Sequence, residues 1–426
     1  MTEAFIYYLW KYKLLHPQLQ TSKGETCQVI DPGTHNTDSG PDFFNARIKI
    51  GETLWAGNVE IHVRASDWIL HKHQFDKAYD NIILHVVFVE DKRIVRSNGK
   101  SIPTLEIADS FDINLLKRYR SLMQSKNSIP CEFQIREIDR FVQNNWLDRL
   151  LVERLENKSK QIEEKLEYNN NDWAETFYQH LASNFGFKVN ALPFELLSRS
   201  LPLKIIAKHK NNIKQIEALL FGQAGMLEND ADDRYYKELK KEYDFLAIKY
   251  KITQIDSHLW RFMRLRPVNF PTIRISQFAA LIANSSHLFS KILESESYQF
   301  LFDQFTVEAS DYWKTHYTFG KKSEDKSKKL GKTGIQLILI NTVAPFLFVY
   351  GRKKQKQEFI DKALKLLDQI PGEKNAITRM WENHEMNIRT AFNTQALIHL
   401  KNNYCDKKLC LSCGIGHAVL NQSLQG

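Results

Sequence analysis

The 426-residue sequence predicts an α/β N-terminal domain followed by an all-α C-terminal domain. Three observations predict it. Before about residue 130, apolar residues alternate, or run on, in short β-branched stretches bounded by turn residues. After Ile129-Pro130-Cys131 they recur at helical spacing. Hydrophobic residues make up 43% of the chain and charged residues 26%, which is globular usage with enough apolar side chains for two or three cores. The boundaries follow as 1–130 for the α/β domain, 131–400 for the helical domain, and 401–426 for a Cys-rich segment packed on the rest.

In chain order, a helix is expected over about 3–15. Residues 43–50 (FFNARIKI) and 54–63 (LWAGNVEIHV) read as the strands of a hairpin around Gly51-Glu52-Thr53. A short helix falls within 66–79. Residues 81–89 (NIILHVVFV) form a strand buried on both faces, and a further strand near 102–107 follows the turn Ser97-Asn98-Gly99. The unit is therefore read as α-β-β-β-α-β. Helical periodicity then marks 138–168, 172–186, 211–223, 233–251, 276–293, 296–315, 335–350, 355–369 and 373–400. The lysine-rich stretch 319–333 reads as a mobile loop.

The apolar run Leu337–Tyr350 is broken by Asn341, Thr342 and Pro345 and is shorter than the ~20 residues of a membrane helix, so a buried helix is expected. The N-terminal FIYYLW run follows Glu3 and lacks a small-residue cleavage site. With five cysteines, an odd number and too few for a disulfide scaffold, these features imply a reducing, cytoplasmic setting and no membrane partner. A net charge of +9 favours a polyanionic partner, nucleic acid above all.

The densest chemistry lies between Gly33 and Asp80. Pro41-Asp42 opens one hairpin strand, and Glu60-Ile61-His62 nears the end of the other. Glu60 and His62, two apart, share a face. A Gly51–Thr53 loop sets Asp42 opposite His62 with Glu60 as its diagonal neighbour; a loop one residue shorter sets Asp42 opposite Ile61. Two carboxylates beside a basic group can hold a divalent metal and position water against a phosphodiester. His35, Asn36, His71, His73 and Asp76 are neighbours of such a site, and the span from His35 to His85 holds five of the 14 histidines. The Gly33–Gly40 loop can present backbone amides beside it.

The element order, the Pro-Asp and the Glu-x-basic pattern resemble the PD-(D/E)xK, restriction-endonuclease-like nuclease superfamily. The resemblance covers about 100 residues. It implies a restriction-endonuclease-like core with Asp42 and Glu60 holding Mg²⁺ or Mn²⁺ and His62 standing in the catalytic lysine position. The upstream acid of that family would be Glu3 or Glu25. The whole chain also resembles an uncharacterised bacterial protein family.

A second pattern is Cys405-x4-Cys410-x2-Cys413, with His417 four residues on. Cys-x2-Cys spacing lets two thiolates reach one metal, and the fourth ligand is either His417 or the distant Cys131. Zn²⁺ or an iron–sulfur cluster would suit such a set. The choice of Cys131 resembles iron–sulfur nucleases of the same superfamily. A third pattern, Arg261 to Arg274, offers Arg264, Arg266 and Arg274 for phosphate oxygens, at the end of a helix stopped by Pro267. Gly331-Lys332-Thr333 fails as a phosphate-binding loop because its first glycine is Lys326. With no Rossmann fingerprint either, nucleotide and dinucleotide cofactors are not expected. The leading expectation is a metal-dependent nuclease. The alternatives are a non-catalytic nucleic-acid- or protein-binding module on a degenerate nuclease core, or a metal-dependent small phosphoesterase.

Overall fold

The computed structural model describes residues 1–96, 99–228, 231–285 and 287–422. Ser97 and Asn98 of the expected turn lie outside them. The chain forms two compact units, Met1–Trp146 with Leu400–Gly426, and Leu147–His399. The C-terminal segment thus belongs to the N-terminal unit, and the chain leaves that unit at Trp146 and returns at Leu400.

The first unit opens with α1 (Glu3–Lys11), where the Thr2 hydroxyl accepts from the Phe5 amide and Glu3 sits in the electropositive first turn. The strands are β1 (Leu19–Gln20), β2 (Thr26–Asp31), β3 (Thr34–His35), β4 (Phe43–Ile50), β5 (Thr53–Arg64), β6 (Ile82–Val89) and β7 (Thr104–Glu106). Between β5 and β6 lie α2 (Asp67–Leu70) and two 3₁₀ turns, His73–Phe75 and Lys77–Tyr79. α3 (Ile113–Gln124) follows β7. The sheet order is β1-β2-β4-β5-β6-β7, with β3 pairing on β4. β1 to β5 pair antiparallel, whereas β5-β6 and β6-β7 are parallel. β6 is buried over its first six residues, as a strand covered on both faces must be. Beside it, Ala65, Trp68, Tyr79, Ile82, Val87, Ile94 and Ile102 form one apolar cluster.

The hairpin takes the shorter of the two expected loops, but at Asp42 its register differs from both expected alignments. Ile50 pairs with Thr53, so the loop is Gly51-Glu52, with Gly51 in the left-handed region at φ 55°. A bulge then intervenes. Ala46 pairs with Gly57 but Phe43 pairs with Val59, and Asn45 takes φ 58° between them. The shorter loop and the bulge together bring Asp42 level with Glu60. β2, which carries only one buried residue, Cys27, is an element the sequence pattern does not reveal.

In the second unit α4 (Arg140–Tyr168) leads into α5 (Trp173–Phe185), α6 (Phe187–Ser200), α7 (Leu203–Ile206), α8 (Ile213–Gln223) and α9 (Arg234–Tyr250). The expected helix over 276–293 is two helices, α10 (Pro271–Asn284) and α11 (Leu288–Glu294), and α12 is Tyr298–Gln304. The 319–333 stretch is more ordered than its lysines suggest. β8 (His316–Thr318) pairs with β9 (Lys321–Lys322), and the buried Lys328 ammonium donates to the carbonyls of Lys314 and Lys326 at 3.0 and 2.9 Å. α13 (Lys332–Ile338) and α14 (Ala344–Lys354) are joined by a π-helical turn, Leu339–Val343, into one 23-residue helix. It is long and apolar enough to cross a membrane by length and composition, but 72% of its most apolar window is buried inside the protein. The π-turn has a local cause. Pro345 has no N–H to offer the Asn341 carbonyl one turn back, and that oxygen lies 3.2 Å from His180 Nε2 instead. α15 (Gln357–Gln369), α16 (Ala376–Glu382) and α17 (Ala391–Leu400) complete the unit, the last two replacing the single helix expected over 373–400. α18 (Gly414–Asn421) lies in the returned C-terminal segment.

Gly57 tests how closely β5 approaches β6. A Cβ there would meet Ile83 Cγ2 at 2.4 Å and the Asn81 carbonyl oxygen at 2.9 Å. Gly57→Ala is expected to destabilise the protein by about 1–3 kcal/mol in denaturant titration. An unchanged midpoint would contradict this packing.

Candidate functional site

The level placement of Asp42 and Glu60 lets each acid bond the other's strand. The Asp42 amide donates to Glu60 Oε2 at 3.2 Å, and the Ile61 amide donates to Asp42 Oδ2 at 2.9 Å. Tyr7, from α1, donates its hydroxyl to Asp42 Oδ1 at 2.8 Å. Asn36 holds the loop that delivers Asp42: its side-chain amide donates to the carbonyls of Asp38, Ser39 and Pro41, and its own amide donates to the Asp42 carbonyl at 2.8 Å. The Gly33–Gly40 loop thus spends its polarity on its own geometry.

Beyond the acids lies a group of imidazoles. His62 on β5 has Nδ1 2.8 Å from His85 Nε2, on β6, and Nε2 3.1 Å from His71 Nδ1. His73 Nε2 is 3.3 Å from Glu60 Oε1, and His62 Nε2 is 3.6 Å from the same oxygen. One nitrogen from each of His62, His71 and His73 falls within 4.8 Å of the others. The α2 helix and the 3₁₀ turn after it carry His71 and His73 back over β5. There His73 stacks on Tyr79 with ring centroids 3.9 Å apart, and Trp68 packs edge-on against His73 and His85. His62 and His85 are buried, His73 is half-buried and His71 is exposed, so the group opens to solvent on the His71 side.

The electrostatics follow from burial. Asp42 is pushed up to about 7 by burial and then by the Glu60 charge, and Glu60 is pushed up to about 8, mainly by burial. His62 falls to about 2 and His85 to about 3, because burial and then neighbouring imidazoles disfavour the charged ring. His73 is also lowered by burial, against the pull of Asp42, Asp76 and Glu3. The surroundings of the two acids are therefore carboxyl, phenol and neutral imidazole, a set rich in lone pairs. His73 Nε2 and His85 Nδ1 are buried and lack hydrogen-bond partners.

The structure therefore brings together Asp42, Glu60, His62, His71 and His73. It leaves His35 aside, packed on Tyr7 and Phe43, and gives Asp76 a capping role, accepting from the Ala78 amide at 2.9 Å. Of the two upstream acids, Glu3 acts on Asp42, Glu60 and His73, whereas Glu25 is exposed in the turn before β2. Tyr7 and His85 are missed by motif reasoning. Tyr7 could have been found from its place four residues after Glu3 on one helix face. His85 gave no such signal, standing inside an apolar strand.

Elsewhere the sequence-based sites fare unevenly. Cys405, Cys410, Cys413 and Cys131 lie within electrostatic range of one another. His417 instead turns to Tyr8, its Nδ1 3.0 Å from the hydroxyl. Arg264 and Arg266 are exposed, but they lie in the turn between two 3₁₀ helices, Ser257–Leu259 and Pro267–Asn269, so Pro267 opens a helix and does not stop one. Arg274 corrects the phosphate-binding expectation. Its guanidinium lies over the Phe187 ring and donates to Gln277 Oε1 and Asn269 Oδ1 at 2.8 and 2.6 Å, so it serves the helical unit's own packing.

Among curated proteins and among solved structures, nothing matches the chain. One family does match, over residues 3–376, and it is described as a protein of unknown function (DUF2851). That match spans nearly the whole chain, including every residue of the acid–imidazole group, and the protein belongs to the DUF2851 family.

Proposed function

We propose that the first unit is a metal-dependent phosphodiesterase acting on nucleic acid, with Glu60, His62, His71 and His73 as its metal ligands. The observation that carries this reading is the convergence of three imidazole nitrogens within 4.8 Å of one another beside a buried carboxylate. Such a donor set fits Mn²⁺ or Zn²⁺ better than Mg²⁺, which prefers oxygen ligands. When bound, a divalent ion would acidify water and neutralise charge on a phosphodiester.

The chain's own residues have separable parts in this reading. His62 is a ligand and not a substitute for a lysine charge, because burial, and then the neighbouring imidazoles, hold its ring neutral. If its Nε2 held the ion, its Nδ1–H would donate to His85 Nε2, 2.8 Å away, and His85 would orient the ring from behind. Asp42, held by Tyr7 and the Ile61 amide, adds the second carboxylate and can pass a proton at its Oδ1 edge.

The nucleic-acid substrate is supported by the +9 net charge and by the Pro41-Asp42 and Glu60-x-His62 pair at the β4–β5 hairpin. It is supported too by Lys72, Lys77 and the 82% exposed Phe75 on the segment that delivers His71 and His73. This is the sense in which the PD-(D/E)xK resemblance is retained, with an imidazole-rich centre in place of a lysine.

Two measurements test the proposal. Calorimetry with Mn²⁺ and Zn²⁺ should give one site that Glu60→Gln and His73→Ala each remove, and DNA or RNA cleavage should fall to background in both. Tight polynucleotide binding without turnover would favour a binding module, and turnover of a small phosphodiester without polynucleotide affinity would favour a phosphoesterase. Separately, His85→Leu should weaken metal binding by about 10–100-fold while the thermal transition stays cooperative. Unchanged affinity would remove His85 from the site.

A further inference from the structure

Apart from the acid–imidazole group, the first unit holds all five cysteines as free thiols and brings four of them towards one another. Three come from the returned C-terminal segment and one from the turn that follows α3. Cys131 is fixed by its own carbonyl, which accepts from the amides of Gln134 and Ile135 at 3.1 and 3.0 Å. Cys410 and Cys413 bracket one 3₁₀ turn, closed by the Cys413 amide donating to the Cys410 carbonyl at 3.3 Å. Cys413 also stands at the N-cap of α18. Space there is tight: a Cβ on Gly416 would meet the Cys410 carbonyl oxygen at 2.1 Å, and one on Gly414 would meet the Trp146 ring at 2.8 Å. Cys405 ends the π-turn after α17, and the loop beyond it is held by the Lys408 ammonium, which donates to the Ser125 carbonyl at 2.9 Å.

Burial is the first fact about these thiols. Cys131, Cys410 and Cys413 are 7–8% exposed, and Cys405 is half-buried. Burial pushes Cys131 up to about 12 and Cys410 up to about 11, and the neighbouring cysteines push Cys131 and Cys405 further. Two segments far apart in sequence thus bring four sulfurs towards one another, three of them at Cys-x4-Cys-x2-Cys spacing. Cys-x2-Cys spacing lets two thiolates reach one metal, and four thiolates complete a tetrahedral zinc site or hold an iron–sulfur cluster.

We infer that Cys131, Cys405, Cys410 and Cys413 form a tetrathiolate site for a thiophilic metal centre, Zn²⁺ or an iron–sulfur cluster, which ties the returned C-terminal segment to residue 131. Loading releases the four thiol protons to solvent. His417, engaged with Tyr8, is not a ligand. Cys27, alone on β2, is outside the site.

The test uses the full chain purified without oxygen, with metal and acid-labile sulfide analysis, a visible spectrum and thiol titration. Wild type should carry one such centre, either zinc in a colourless protein or iron with sulfide and visible absorption. No more than one thiol should react until denaturant and chelator expose all five. Cys131→Ser should lose the centre, whereas Cys27→Ser, His417→Ala and His73→Ala should retain it, the last separating this site from the imidazole group. Native wild type with four or more reactive thiols and no thiophilic metal overturns the inference, as does full metal content in Cys131→Ser. Should Cys131→Ser fail to fold, native thiol protection in the wild type still decides.

Discussion

The exchange of hydrogen bonds between Asp42 and Glu60 is the constraint on which the N-terminal site depends. In an uninterrupted antiparallel ladder the amides of Asp42 and Ile61 would find carbonyl oxygens; here they find carboxylates. Those bonds fix both acids to the backbone of β4 and β5, so neither can turn away from the other despite their repulsion. The bulge at Asn45 makes the exchange possible by moving Asp42 one station along the partner strand. Everything downstream is set from that point: Glu60 Oε1 is left to face His73 and His62, and Tyr7 is drawn onto the free oxygen of Asp42.

Much of this architecture was legible in the residues. The runs FFNARIKI and NIILHVVFV fall on β4 and β6, and the long amphipathic stretch after residue 138 falls on α4, because each carries a strong period and ends at a turn or cap. Less was legible where periodicity is diluted. β2 buries only Cys27, and α6 contains Pro193 and a break at Asn190 that a pattern search reads as a terminus. The register of the hairpin beyond the bulge could not be read, since nothing in Phe43–Ile50 announces that Asn45 will adopt a left-handed conformation. For the site, the acids and three histidines were visible as motifs. Tyr7 and His85 were not, because their contacts come from elements distant in sequence.

The two donor sets in the first unit differ in chemical character. Glu60 with three imidazoles is a borderline set reached from solvent through His71, whereas the four cysteines are soft and mostly buried. Ligand type and access together would keep different ions apart within one unit. The imidazole set opens to solvent at His71, whereas two glycines beside the cysteine set, Gly414 and Gly416, have no room for a Cβ.

The path of the chain has a consequence for synthesis. The first unit is interrupted after Trp146 by about 250 residues and resumes only at Leu400. At ~5–20 residues per second, its missing part emerges from a ribosome about 10–50 s after its N-terminal part. Throughout that interval β4, β5 and β6 exist without α18, and Tyr8 without His417 and Asn421. The helical unit, contiguous in sequence, can fold first as a nascent chain. The sheet unit closes last, and a premature stop anywhere before Leu400 would leave it permanently open.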